Sequence, residues 1–140
     1  MINNGSVVVD IKRDQVKLDR FSPHLRDVLT EHGIKVFNVK YHDSMKFAFM
    51  AVSHESDTGK PVIIMCVDDI INAQLTRDEV EAMLWHELAH IINDATEFEA
   101  DDFAVDHTSY EVWKSAMTKT YKFLRCEPSG EFEHRKKFIS

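Results

Sequence analysis

Two capping boxes, Thr76-Arg77-Asp78-Glu79 and Thr96-Glu97-Phe98-Glu99, stand twenty residues apart. In each, the threonine oxygen can accept from a first-turn amide while the glutamate three residues on reaches back to the threonine amide. They mark two helix starts. Asp78 and Glu79 also suit the positive end of the first helix. After it, Val80, Met83, Leu84, Leu88 and Ile91 recur at three- and four-residue spacing, which predicts an amphipathic helix to about Asn93. Phe98, Ala100, Phe103 and Ala104 give the second helix, from about Glu97, its apolar face. Ser109 to Arg125 reads as a third helix.

The upstream half is patterned differently. Ser6 to Ile11 is a short β-branched run, a strand. Ser22-Pro23 opens a helix to His32, with Gly33 where a C-cap is wanted. Ile34 to Tyr41 reads as a strand. Met45 to Ser53 and Pro61 to Val67 form a hairpin across a longer loop with Thr58-Gly59 as its turn. The second of these runs is apolar on both faces, so it belongs inside the sheet or under a helix. Strands followed by helices give an α+β class, with a small mixed or antiparallel sheet packed on the first capped helix and C-terminal helices after it. The divisions are a strand-rich 1–70, a helical 76–125 and a polar tail over 127–140.

With 140 residues, 4 glycines and 3 prolines, the chain suits one domain and offers few places to divide. A net charge of −7 with no basic stripe beyond His134-Arg135-Lys136-Lys137 argues against nucleic acid as a partner. No apolar run approaches the ~20 residues of a membrane span. Two cysteines make no disulfide framework, and the first residues lack the apolar core of a secretion signal. The expectation is a soluble cytoplasmic protein.

Between the capping boxes lies His86-Glu87-Leu88-Ala89-His90, an H-E-x-x-H pattern on the first helix. Residues four apart share a helix face, so both imidazoles can point at one ion. Zinc takes neutral imidazole nitrogens at about 2.0–2.1 Å. Glu87, rotated by about 100° from His86, can reach a water at the metal without itself being a ligand. The bland reading is a charged helix with two surface histidines. Against it stand the capped helix and the apolar Leu84, Leu88 and Ile91 around the pattern.

A catalytic zinc needs a third protein ligand and an open position. Asp94, Glu97, Glu99, Asp101, Asp102 and His107 are all close in sequence. Glu97 and Asp101 share a face of the second helix, so one can bind the metal while the other accepts from the far nitrogen of a histidine ligand.

Glu97-Phe98-Glu99-Ala100-Asp101 following His86-Glu87-Leu88-Ala89-His90 resembles the gluzincin metallopeptidases, whose second motif reads E-x-x-A-D. The likeness is greatest to the HtpX-type peptidases and the small soluble minigluzincins, with the ImmA/IrrE-type peptidases second. It covers about Thr76 to His107. It implies a zincin-like fold and one Zn2+ per chain held by His86, His90 and Glu97. Asp101 would be the partner of a zinc histidine, His86, and Glu87 the general base. It also implies a peptide substrate bound as an added strand along an exposed edge, Met45–Ser53 or Pro61–Val67. Only six residues separate His90 from Glu97, fewer than is usual in these families, which keeps Glu99 open as the third ligand. Asn93 could supply the left-handed residue that such a short reversal needs. The metzincin pattern fails because Thr96 stands where its third histidine would be.

His134, Arg135, His107 and Tyr110 are candidates to stabilise an oxyanion. Cys66 reads as a small buried hydrophobe, or less readily as a thiol that blocks the zinc. Trp85 and Trp113 read as core. A binding or regulatory module with an idle site is the alternative to an enzyme. A deformylase ranks last, since Ile63-Ile64-Met65-Cys66-Val67 lacks the glycine of that motif.

Overall fold

One strand, Pro61–Met65, organises the sheet. A computed structural model describes residues 2–3, 8–9, 14–39, 49–55 and 57–124. Ile2–Asn3 (β1) and Val8–Val9 (β2) form a small antiparallel pair. A single 3-10 turn, Leu18–Arg20, precedes helix α1, Pro23–Glu31. Val36–Asn38 (β3), Met50–His54 (β4) and Pro61–Met65 (β5) make a three-stranded mixed sheet in the order β3-β5-β4. β3 runs parallel to β5, with Phe37 opposite Ile64, and β4 runs antiparallel to it, with Val52 opposite Ile63. Four helices follow: α2, Val67–Asn72; α3, Arg77–Asn93; α4, Glu97–His107; and α5, Tyr110–Leu124. The α+β class and the β4–β5 hairpin are as the sequence predicts.

β5 is central because it is apolar on both faces. Ile63 and Met65 pack with Leu25, Leu84, Leu88, Trp113 and Met117 on the helical side. Val62 and Ile64 pack on the other side with Phe37, Val39, Ala51 and Cys66. Both neighbours bond to β5, so the expectation that Pro61–Val67 could take a substrate strand is corrected: its amides and carbonyls are committed to the ladder. Among the described residues β4 pairs on one side only, and it lies against α3. The outer side of β3 is partly occupied, since the Val16 amide donates to the Val36 carbonyl at 2.8 Å.

Helix α3 departs from the amphipathic reading. Every residue from Ala82 to Ala89 is buried, because the sheet, α4 and α5 close around it. A helix covered on all sides is a central element, and its polar residues must find partners inside the protein. Glu81 does so by accepting from the Ser22 amide at 3.1 Å and from Arg77 Nε at 2.9 Å, which ties the start of α1 to α3. Buried Glu79 closes the capping box and also receives Lys119 Nζ at 2.7 Å, fastening α5 to the start of α3. Short helix α2 was not foreseen; of its six residues Ile70 alone is buried, with Val67 partly buried against the core. Among the described residues no helix is long and apolar enough to cross a membrane.

Candidate metal centre

Both capping boxes form as expected, with Thr76 accepting from the Glu79 amide and Thr96 from the Glu99 amide. They place the C-terminal half of α3 against the first turns of α4. Between them the chain reverses through Asp94, whose φ of 50° and ψ of 42° are left-handed. The reversal therefore falls at Asp94, one residue after the expected Asn93. Asp tolerates this conformation for the same reason Asn does, a short polar side chain that can bond locally.

This turn brings together the sequence-predicted ligands. One ligand atom each from His86, His90 and Glu97 lies within 4.8 Å of the others, a group that could hold a metal ion. His90 Nε2 is 2.8 Å from Glu97 Oε1 and 3.2 Å from His86 Nε2. His86 Nε2 is 3.5 Å from Glu97 Oε2. His86 is buried, while His90 and Glu97 are partly open, so the surface-histidine reading does not fit His86.

The far side of each ring decides what its near side offers. His90 Nδ1 is 2.8 Å from the Ala95 carbonyl oxygen. A carbonyl can only accept, so Nδ1 is the donor, and in a neutral ring Nε2 then carries a lone pair. His86 Nδ1 lies 3.0 Å from Asp101 Oδ1, and that carboxylate is fully buried. Facing that carboxylate in ion-pair contact, rather than through an aligned hydrogen bond, the His86 ring favours the tautomer with its proton on Nδ1, which leaves the lone pair on Nε2. The indole of Trp113 stacks on the His86 ring, with centroids 5.2 Å apart and planes 19° from parallel. Three electron-pair donors thus face one another at hydrogen-bonding distances, which demands positive charge between them. A proton can supply it: the Glu97 carboxylate beside His90 raises that imidazole's pKa above the usual range, against the opposing effects of burial and of His86. A divalent cation supplies it better, and two neutral imidazoles with one carboxylate form a donor set suited to zinc.

Glu87 is buried beside His86, and its charge contributes to the raised pKa of His90. Glu99 lies outside the converging group: its carboxylate accepts from the Thr96 amide at 3.0 Å to close the second capping box, and that bond holds its pKa below the ordinary range. Exposed Asp102 and Asp94 are not in the group either. His107 is engaged elsewhere. Its ring stacks on Trp85 with centroids 4.0 Å apart and lines a cavity of about 280 Å³ with Ser22, His24 and Glu81. Tyr110 opens α5 one turn ahead of Trp113 and is exposed. Cys66 is a buried free cysteine on the side of β5 away from α3, and burial raises the pKa of its thiol. His134 and Arg135 lie outside the described residues. Trp85 and Trp113 are core residues, as expected. Sequence reasoning missed the Ala95 carbonyl and the Trp113 stack. A backbone acceptor has no signature in residue type, and Trp113 was read for its apolar bulk alone.

No model of a known family, no curated protein and no solved structure matches the chain.

Proposed function

We propose that this protein is a zinc-dependent metallopeptidase with a zincin-like fold, of the gluzincin kind that its two motifs resemble. The observation that carries the reading is the convergence of His86 Nε2, His90 Nε2 and a Glu97 carboxylate oxygen, with His90 Nδ1 bonded to the Ala95 carbonyl and His86 Nδ1 in ion-pair contact with Asp101. His86, His90 and Glu97 would hold one Zn2+. Bound there, zinc supplies Lewis acidity, polarising a scissile carbonyl and acidifying a water. The Glu87 carboxylate takes the proton of the attacking water and returns it to the leaving nitrogen. Asp101 holds the His86 ring in one tautomer and orientation. The substrate peptide lies antiparallel along β4, the strand against α3, bonding through its main chain. Tyr110 and His134 are the residues proposed to steady the developing oxyanion.

Two measurements test this. Purified protein should carry near one zinc per chain, lost or much weakened in Glu97→Ala. Glu87→Gln should keep the zinc and lose hydrolysis of unstructured protein or peptide substrates. Full hydrolysis by zinc-loaded Glu87→Gln would overturn the mechanism. Zinc binding without hydrolysis in the wild type would favour a binding module with an idle site.

A further inference from the structure

We propose that the left-handed turn at Asp94 is a positioning device for the metal ligand His90, and that Asp94 acts through its backbone. This rests on the metal-site reading above and extends it to a residue that no motif marks. Helix α3 ends when the amides of Asp94 and Ala95 both turn back to the Ala89 carbonyl, the latter at 3.3 Å. That fold-back points the Ala95 carbonyl at His90 Nδ1, 2.8 Å away. One residue later Thr96 caps α4, and Glu97 delivers its carboxylate to the opposite edge of the same ring, 2.8 Å from Nε2. The seven residues after His90 therefore grip its ring at both nitrogens, Ala95 by a backbone acceptor and Glu97 by a carboxylate.

The two histidines are held differently as a result. His86 is backed by a side chain on another helix, Asp101. His90 is backed by its own connecting turn, so the turn's conformation sets the direction of the lone pair that His90 offers. The side chain of Asp94 is exposed and outside the ligand group, so what the position contributes is its φ of 50°. Glycine adopts that conformation without penalty, whereas a β-branched residue resists it. A valine at 94 relieves its strain by leaving the left-handed region, which swings the Ala95 carbonyl off Nδ1. The metal must then restore the turn before His90 can bind.

The test compares full-length wild type, Asp94→Gly and Asp94→Val. Zinc affinity is read by competition with a chromophoric chelator, and ligand geometry by the visible absorption of bound Co2+. A melting curve of each metal-free chain checks folding. Asp94→Gly should match the wild type in both readouts. Asp94→Val should bind zinc about tenfold more weakly, the size of effect seen when a support behind a metal ligand is lost, with a shifted Co2+ spectrum. If Asp94→Val does not fold, Asp94→Ala carries the test with a smaller loss in the same direction. Wild-type affinity and spectrum in the folded valine or alanine variant would overturn the proposal. So would a tenfold loss in Asp94→Gly, which would give the role to the side chain. A wild type that takes up neither zinc nor Co2+ would instead overturn the metal site itself.

Discussion

His86 Nδ1 and Asp101 Oδ1 lie 3.0 Å apart, and both residues are buried. The carboxylate sits on α4 and the ring on α3, so one contact both joins two helices and selects a tautomer. Asp101→Ala should weaken zinc roughly 10- to 100-fold. Asp101→Asn keeps an acceptor oxygen and should lose less. Chelator competition on the two variants measures both; equal, full affinity in Asp101→Ala would mean the contact does not support the ligand.

Glu99 and Glu97 are separated by their present partners. Glu99 closes a helix cap, and Glu97 faces two imidazoles. Glu99→Ala should leave zinc stoichiometry unchanged and loosen the start of α4, seen as faster amide exchange there. Loss of zinc in that variant would move the third ligand to Glu99.

Protons would compete with a metal ion at His90. The Glu97 carboxylate raises the pKa of this imidazole above its ordinary 6.5. Zinc affinity should therefore begin to fall at a higher pH than for an unperturbed histidine, and Glu97→Gln should remove that early fall along with most of the affinity. In the metal-free chain the sign for stability is the opposite. A raised pKa adds stability that is fully present below the unfolded value and is lost as pH rises through the folded one. Urea unfolding of the metal-free protein between pH 6 and pH 8.5 should show that decline, and a flat profile would refute it.

Glu79 carries a pH dependence in the acid range. Burial alone would raise its pKa, but hydrogen bonds from Lys119, Ser115 and the Thr76 amide outweigh it and hold the carboxyl below its ordinary 4.5. Its contribution is present above that unfolded value and is lost as pH falls through the lower folded one. Lys119→Met should cost about 2 kcal/mol at neutral pH, the scale of a hydrogen bond to a charged group. The gap between variant and wild type should close below about pH 4.5, once Glu79 is protonated in the unfolded chain and then in the native one. Denaturation curves at several pH values give the comparison.

Much of this was written locally in the chain. The two threonine-glutamate boxes and the two histidines are each fixed by spacing along one helix, and spacing is what a sequence displays; the choice of Glu97 over Glu99 waits on the turn between the helices. The β4–β5 hairpin followed from apolar runs around a turn. What failed to show was relational. The parallel pairing of β3 with β5 and the burial of α3 on every side depend on which distant segments meet. The Ala95 carbonyl behind His90 belongs to the backbone, which every residue shares. Placing the reversal at Asn93 when it occurs at Asp94 shows the same limit, since both residues tolerate the conformation and only the closed turn selects one.

His86 and Glu97, the outermost members of the candidate ligand group, are eleven residues apart in the chain. Bringing such near neighbours together sacrifices little chain entropy, because loop closure costs less the shorter the loop. The parallel pairing of β3 with β5 spans a much longer stretch and is correspondingly slow to find. The His86, His90 and Glu97 group is thus the part of this molecule that can form first. An ion captured by the α3–α4 hairpin would order two helices before the sheet exists to support them, and so would act as a folding template.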